Sequence, residues 1–154
     1  MVTRVLLCAG LVMLATSAPA DEKSDAVAKE MKLLEEKVWV TVAKADLGGK
    51  EEKVPDDMRA TLVFGGGGKA TLKLVGLTVE LLDVKIDPTA KPKTIDCNFK
   101  IGDEKSVVAG LYELKGDELR MAVNVAAAEK VERPKDFEKC TMRIVFAGKE
   151  KPKK

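Results

Sequence analysis

The most conspicuous motif is the octapeptide FGGGGKAT at residues 64–71, in which four glycines precede a lysine. Glycines followed by lysine are typical of loops that surround a phosphate, but such a loop requires G-x-x-x-x-G-K-[ST] with a helix after it. Val63 stands at the position of the first glycine and Ala70 at that of the hydroxyl residue. The next residues, KATLKL, alternate as a strand does, so we predict a hairpin turn at residues 65–68.

Side chains that commonly catalyse reactions or bind metals are scarce. The chain of 154 residues contains no histidine, which is the commonest general base and the usual partner of serine and cysteine nucleophiles. Beyond the N-terminal segment it has two cysteines, Cys97 and Cys140, whose spacing matches no metal motif. We therefore expect a protein that is not an enzyme and that uses no metal and no cofactor.

Charged residues are balanced and interleaved. Lysine and arginine total 27 and aspartate and glutamate total 25, which gives a net charge of +2. A nucleic-acid-binding domain shows a clustered basic excess instead, so nucleic acid is not an expected partner. The basic residues 148–154 are typical of a disordered tail.

The first twenty residues have the pattern of a cleaved secretory signal peptide. Arg4 precedes an apolar run from Val5 to Leu14, and Ala18-Pro19-Ala20 supplies the small residues that a signal peptidase recognises. The run is shorter than the roughly 20 apolar residues that cross a bilayer. Cleavage is expected between Ala20 and Asp21, which leaves a periplasmic or secreted chain without a transmembrane span.

The spacing of apolar residues in the remaining chain predicts one helix followed by strands. Val27, Met31, Leu34 and Val38 recur on one helical face, which predicts a helix over residues 21–37. Later runs of β-branched and apolar residues, separated by turn residues, predict eight strands. They lie at residues 38–45, 59–64, 69–75, 77–86, 94–101, 106–114, 118–125 and 139–147.

Alternation within these strands indicates one face against a core and the other against water. In residues 77–86, Val79 and Leu81 share one face, and Leu82, Val84 and Ile86 then take over that face, which predicts a bulge near Leu81–Leu82. Closing an antiparallel meander removes its exposed edges. We therefore predict an all-β fold, an antiparallel eight-stranded up-and-down barrel over residues 38–147. The other predicted inward residues are Ile95, Cys97, Phe99, Ile101, Leu119, Met121, Val123, Val125, Cys140, Met142, Ile144 and Phe146.

Four blocks of sequence carry a family resemblance. IDPTAKPKTID at residues 86–96 contains D-P-T-x-x-P-K-x-I-D, and residues 110–119 contain G-[IL]-Y-E-L-x-G-D-x-L. With RPKDF at residues 133–137 and VPDD at residues 54–57, they resemble an uncharacterised family of exported bacterial domains, best represented in planctomycetes and described as lipocalin-like. The matching residues of the two long blocks are Asp87, Pro88, Thr89, Pro92, Lys93, Ile95, Asp96, Gly110, Leu111, Tyr112, Glu113, Leu114, Gly116, Asp117 and Leu119.

The resemblance covers about residues 38–147 and implies a lipocalin-like barrel, but it implies no established activity. The family usually opens with L-x-G-x-W. Trp39 matches this opening, whereas Glu35 and Lys37 occupy the leucine and glycine positions.

The first long block also has a direct physical interpretation. Pro88 and Pro92 cannot donate ladder hydrogen bonds, and Asp87 can cap its own turn, so the block predicts a stiff corner between two strands. The alternative is a site formed by Asp87, Lys93 and Asp96.

Two functions remain open from the sequence. The protein is either a binding module that holds a small apolar molecule inside the barrel, or a structural or interaction domain of the cell envelope whose core is filled. The candidate ligand contacts are Trp39, Phe99, Tyr112 and Met121, although Trp39 is also suited to close one end of the barrel.

The two cysteines are predicted to be free thiols. Alternation places Cys97 and Cys140 inside, on the fifth and eighth strands, which are not neighbours in a closed meander. A disulfide requires Cα atoms within roughly 7 Å of each other, although export would make such a bond chemically possible.

Overall fold

The computed structural model describes residues 19–152. Within that range the chain forms one α-helix, α1 (Pro19–Glu35), one short 3-10 helix (Asp56–Met58) and nine strands. The strands are β1 (Lys37–Asp46), β2 (Glu52–Lys53), β3 (Thr61–Gly65), β4 (Lys69–Leu74), β5 (Leu77–Asp87), β6 (Lys93–Ile101), β7 (Glu104–Lys115), β8 (Glu118–Ala126) and β9 (Met142–Glu150).

The strands form a single closed antiparallel sheet. Their order is β2-β1-β3-β4-β5-β6-β7-β8-β9, and β1 also pairs with β9, which closes the ring. The short β2 pairs only with Ala43 and Lys44 of β1, so β1 and β3 to β9 are the eight strands of the barrel. The predicted fold class, an antiparallel eight-stranded lipocalin-like barrel with a short N-terminal helix, is confirmed.

Alternating residues form the interior, as the pattern predicted for most strands. Residues of β6, β8 and β9 that alternate along the chain belong to one buried apolar cluster, or pack against it, together with residues of β3 and β5. Those from β6, β8 and β9 are Ile95, Cys97, Phe99, Leu119, Met121, Val123, Met142, Ile144 and Phe146.

The predicted bulge in β5 exists, but it lies one to two residues further along. The register with β6 shifts between Leu82 and Lys85, and Asp83 has a φ of 53°. Its carboxylate accepts a hydrogen bond of 3.1 Å from the side-chain amide of Asn98. Because the extra residue follows Leu82, that side chain points outward and is exposed, so its predicted inward position is wrong. Val84 and Ile86 are buried as predicted.

The four glycines form the predicted hairpin turn. Gly65 ends β3, Lys69 begins β4, and the two strands pair up to that point. Gly67 and Gly68 have φ angles of 72° and 70°, a region that side chains disfavour. The carbonyl of Gly68 also accepts a 2.8 Å hydrogen bond from the Val84 amide, so the turn is fastened to β5.

The bounds of the helix and of the last strand differ slightly from the predicted ones. Helix α1 begins at Pro19 and ends at Glu35, whereas residues 21–37 were expected, and Val38 belongs to β1. Val27, Met31 and Leu34 pack against the core as the helical spacing predicted. Strand β9 continues to Glu150, so residues 148–150 are strand and not tail. The predicted signal segment, apart from Pro19 and Ala20, lies outside the described residues.

A second, smaller apolar cluster covers the outside of the barrel. Leu111 and Ala122 lie on the outer faces of β7 and β8, and Cys140 and Phe137 pack against them. The predicted inward position of Cys140 on a strand is therefore wrong. Residues 127–141 form an irregular segment over the outer wall, and β9 begins only at Met142, so alternation does not extend to Cys140.

Candidate functional site

The half of the barrel under α1 is filled by large side chains. Trp39 and Tyr112 are among the largest fully buried side chains, and three others share this end of the core. They are Leu34, Phe64 and Leu119. The indole nitrogen of Trp39 donates a hydrogen bond to the Leu34 carbonyl oxygen, 2.9 Å away. This carbonyl is one of the last of the helix, which have no partner within the helix itself.

The opposite half contains an apolar cavity of about 220 Å³. Fifteen side chains line it, and every one is leucine, isoleucine, valine, phenylalanine, methionine or cysteine. The cavity reaches solvent where β4, β6 and β8 end, because Leu74, Ile101 and Val125 are part of its wall and are also partly exposed. The helix therefore covers one end of the barrel, and the cavity opens at the other.

The four predicted ligand contacts separate into two pairs. Phe99 and Met121 line the cavity. Trp39 and Tyr112 belong to the filled end and do not border it. Val79 and Leu81, which were predicted to share one face of their strand, also line the cavity. Leu72 lines it as well and was not predicted, although Ala70, Leu72 and Leu74 alternate along β4.

Among the described residues that line the cavity, Cys97 alone has a side-chain hydrogen-bond donor. Burial, with a smaller contribution from the negative charge of Asp96, raises the pKa of this thiol to about 12. A thiol rather than a thiolate therefore faces the cavity at neutral pH, and thiols are poor nucleophiles. The wall offers an apolar surface and no reactive group.

Tyr112 has a buried hydroxyl without a hydrogen-bond partner. Burial raises the pKa of this phenol, and the negative charge of Glu30 raises it further. The Glu30 carboxylate itself binds the ammonium of Lys93 at 2.6 Å, and that ammonium lies 5.7 Å from the centre of the Tyr112 ring. Tyr112 is therefore a neutral core residue beside an ion pair between α1 and β6.

The candidate residues Asp87, Lys93 and Asp96 bind three different partners. Asp87 contacts Lys23 of α1 at 2.6 Å, and Lys93 contacts Glu30 of the same helix. Asp96 accepts a 2.7 Å hydrogen bond from Arg133, which belongs to the irregular segment 127–141. The three side chains thus connect β5 and β6 to the helix and to this segment.

The Asp87 carboxylate is held in its ionised form. It accepts hydrogen bonds from the Thr89 hydroxyl at 2.6 Å and the Thr89 amide at 3.1 Å. The ammonium of Lys23 first, and the Thr89 hydroxyl second, lower the pKa of Asp87 from 3.8 to about 2. The turn chemistry expected for this corner is present.

A larger groove of about 720 Å³ lies outside the barrel beside β2. Its charged side chains include both signs, and Arg59 pairs with Asp56 at 2.7 Å. Three acidic and two basic side chains line the groove, so it presents no cluster of a single charge sign that would select a ligand. Among residues 19–152, no three acidic or cysteine side chains are grouped so as to hold a metal ion.

Within the described part of the chain, no helix combines the length and the apolar character needed to cross a membrane.

Comparison with known proteins gave no relative. No protein-family model matches the chain, and the searches of curated proteins and of solved structures found no match. The apolar cavity is therefore the feature from which a function is inferred.

Proposed function

We propose that the protein binds a small apolar molecule, or the hydrocarbon part of a small amphiphile, in the open half of its barrel. The observation that carries the proposal is the cavity of about 220 Å³ whose wall contains no charged, amide or hydroxyl side chain. Enclosed apolar cavities of similar size take up apolar ligands such as benzene, and the mouth of this cavity gives such a ligand a way in.

The volume limits the size of the ligand. An apolar cavity of about 150 Å³ holds benzene, which corresponds to roughly 25 Å³ for each carbon atom. A volume of about 220 Å³ then holds roughly nine such atoms on the same scale. The proposed ligand is thus a short acyl chain or a single small ring system, and a larger molecule would extend through the mouth.

The chemistry of the wall determines which part of the ligand enters. Burying a polar group without a hydrogen-bond partner costs about 2–7 kcal/mol, and the Cys97 thiol is the only side-chain donor inside. A carboxylate or hydroxyl on the ligand would therefore remain in water at the mouth, between the ends of β4, β6 and β8.

Export and the absence of catalysis are parts of the same proposal. The N-terminal pattern and the family resemblance support a periplasmic or secreted protein of the lipocalin-like family. The absence of histidine from the whole sequence and the neutral Cys97 thiol support a non-catalytic role.

The test is a titration with octanoate, an eight-carbon amphiphile, followed by NMR of methyl groups. The protein is used as recovered from the expressing cell, with its first residue established by intact mass. We expect saturable shifts at the Met121 and Ile144 methyls with a Kd of about 1 mM or below, that is at least about 4 kcal/mol from burial of the chain. Methyls near Trp39 should not shift.

A cavity-filling substitution provides the comparison. Val123→Phe adds a ring inside the cavity and should abolish the shifts, whereas Val63→Phe, on the outer face of β3, should preserve them. If the chemical shifts of the cavity methyls in the wild-type protein do not change at octanoate concentrations well above about 1 mM, the proposal is wrong.

The alternative, an envelope interaction domain without a ligand, is favoured by one observation. Typical small-molecule pockets have volumes of about 300–1,000 Å³, and this cavity is smaller. The same titration distinguishes the two functions, since a domain of that kind has no saturable site for octanoate.

A further inference from the structure

Five exposed apolar side chains lie at the end of the barrel where the cavity opens, and they are here called the apolar rim. Val75 is 71% exposed and Ile101 is 50% exposed. The remaining members are less exposed, at 38–41%. The apolar rim consists of Leu74, Val75, Leu77, Ile101 and Val125, from the β4–β5 turn and the ends of β6 and β8.

The apolar rim and the cavity wall are one continuous surface. Leu74, Ile101 and Val125 belong to both, with one side in the cavity and the other in solvent. A ligand that leaves the cavity therefore moves over apolar side chains before it meets water.

We propose that the apolar rim docks onto the surface of a phospholipid bilayer, so that the apolar ligand passes between bilayer and barrel without crossing water. The proposal rests on ligand binding in the cavity. Its physical basis is that the same apolar groups which would be unfavourable in water are favourable in the acyl boundary of a membrane.

The size of the apolar rim favours a bilayer over a protein partner. Together its members expose the equivalent of about two and a half side chains, or roughly 150–300 Å² of apolar surface. A stable protein interface buries about 800 Å² on each partner, which this patch does not reach. Shallow membrane insertion needs only a few apolar side chains at a tip.

The β4–β5 turn has the composition of such a tip. The four residues from Leu74 to Leu77 are uncharged, and the exposed Lys73 stands directly behind them, where its ammonium can remain among lipid headgroups. Asp103 and Glu104 lie at the neighbouring β6–β7 turn and oppose deep insertion there. The β4–β5 turn therefore leads the contact, and the binding is weak and reversible.

The experiment is flotation with phosphatidylcholine vesicles, using the protein as recovered from the cell with its first residue established by intact mass. Val75→Asp places a carboxylate on the tip. Leu33→Asp makes the same kind of change on α1 at the opposite end, where Leu33 is 43% exposed. We expect Val75→Asp to weaken vesicle partitioning about tenfold, because an ionised carboxylate must stay in water, and Leu33→Asp to leave it unchanged.

Several results would overturn the docking proposal. These are wild-type protein that does not float with the vesicles, equal weakening by both substitutions, or a dimer in solution that Val75→Asp dissociates. Octanoate titration of the same samples separates this proposal from the ligand proposal. If octanoate binds while vesicles do not, docking alone is wrong, and if vesicles bind while octanoate does not, the ligand proposal is wrong.

Discussion

The indole nitrogen of Trp39 and the carbonyl oxygen of Leu34 are joined by a buried hydrogen bond of 2.9 Å. Trp39 lies near the start of β1, and Leu34 lies in the last turn of α1. This bond satisfies a helix-terminal carbonyl that is buried away from water. It also couples the position of the helix to the first strand of the barrel.

Replacing Trp39 by phenylalanine should destabilise the protein markedly. The Leu34 carbonyl would lose its partner while it remains buried, and the smaller ring would leave unfilled space. We expect the free energy of unfolding to fall by about 2–4 kcal/mol, measured by urea denaturation. A loss below about 1 kcal/mol would show that water reaches this carbonyl.

Replacing Tyr112 by phenylalanine should not lower the free energy of unfolding, although this residue is as deeply buried as Trp39. Its hydroxyl has no hydrogen-bond partner, so its removal relieves the cost of burying an unpaired polar group. We expect the free energy of unfolding to stay the same or to rise by about 1 kcal/mol. A decrease in the same urea experiment would indicate that the hydroxyl binds the nearby Glu30 carboxylate.

The pKa of Asp87 should depend on Lys23. The folded-state pKa of about 2 lies below the ordinary 3.8, so the stability that this carboxylate contributes is present above about pH 4 and is lost as the pH falls towards 2. In Lys23→Ala, the pKa should rise towards 3.8 but remain below it, because Thr89 still donates to the carboxylate. Carboxyl-carbon NMR measures this, and Lys29→Ala on the same helix should leave the pKa of Asp87 unchanged.

Gly110 should not tolerate even a methyl group. A Cβ atom at this position would lie 2.9 Å from the Ala122 carbonyl oxygen and 2.9 Å from a Val123 methyl. We expect Gly110→Ala to lower the free energy of unfolding by about 1–3 kcal/mol through overpacking. Gly66→Ala is the matched control, since a Cβ there meets nothing within 4 Å. Equal effects of the two substitutions on thermal unfolding would contradict this account.

The two described cysteines should react as separate free thiols. Neither is bonded, so both should be alkylated in urea without reductant, as peptide mapping would show. In the native state at pH 8, Cys97 should react about a thousandfold more slowly than in urea, because burial moves its pKa from 9.0 to about 12. Modification of either residue only after reduction would reveal a disulfide and contradict the fold.

Local sequence patterns predicted the architecture well, because each strand could be recognised from its own residues. Period-two alternation located eight strands, and the glycine turn followed from turn chemistry at Gly67 and Gly68. Alternation predicted the wrong orientation where the chain does not pair regularly with a neighbouring strand. It placed Leu82 inside, because the bulge starts one residue later, and it placed Cys140 inside, because the segment before β9 looks like a strand but lies on the outer wall.

The cavity could not be predicted in the same way. Alternation indicates which side chains face inward, but not whether they fill the space that eight strands enclose. Phe99 and Met121 were predicted to face inward, and they do border the cavity. Trp39 and Tyr112 were also predicted to contact a ligand, yet they lie at the end of the barrel that the helix covers and do not line the cavity.

The pairing of the first strand with the last has a consequence for how the chain folds. Lys37 of β1 lies opposite Glu150 of β9, and the ladder continues to Asp46 and Met142. All the other strands of the barrel must therefore be synthesised before the ring can close, and until then one long edge of β1 has no partner. Loop closure over such separations slows folding, and the waiting edge can capture a strand from another chain. The protein is thus most vulnerable to aggregation until β9 is available to pair with β1.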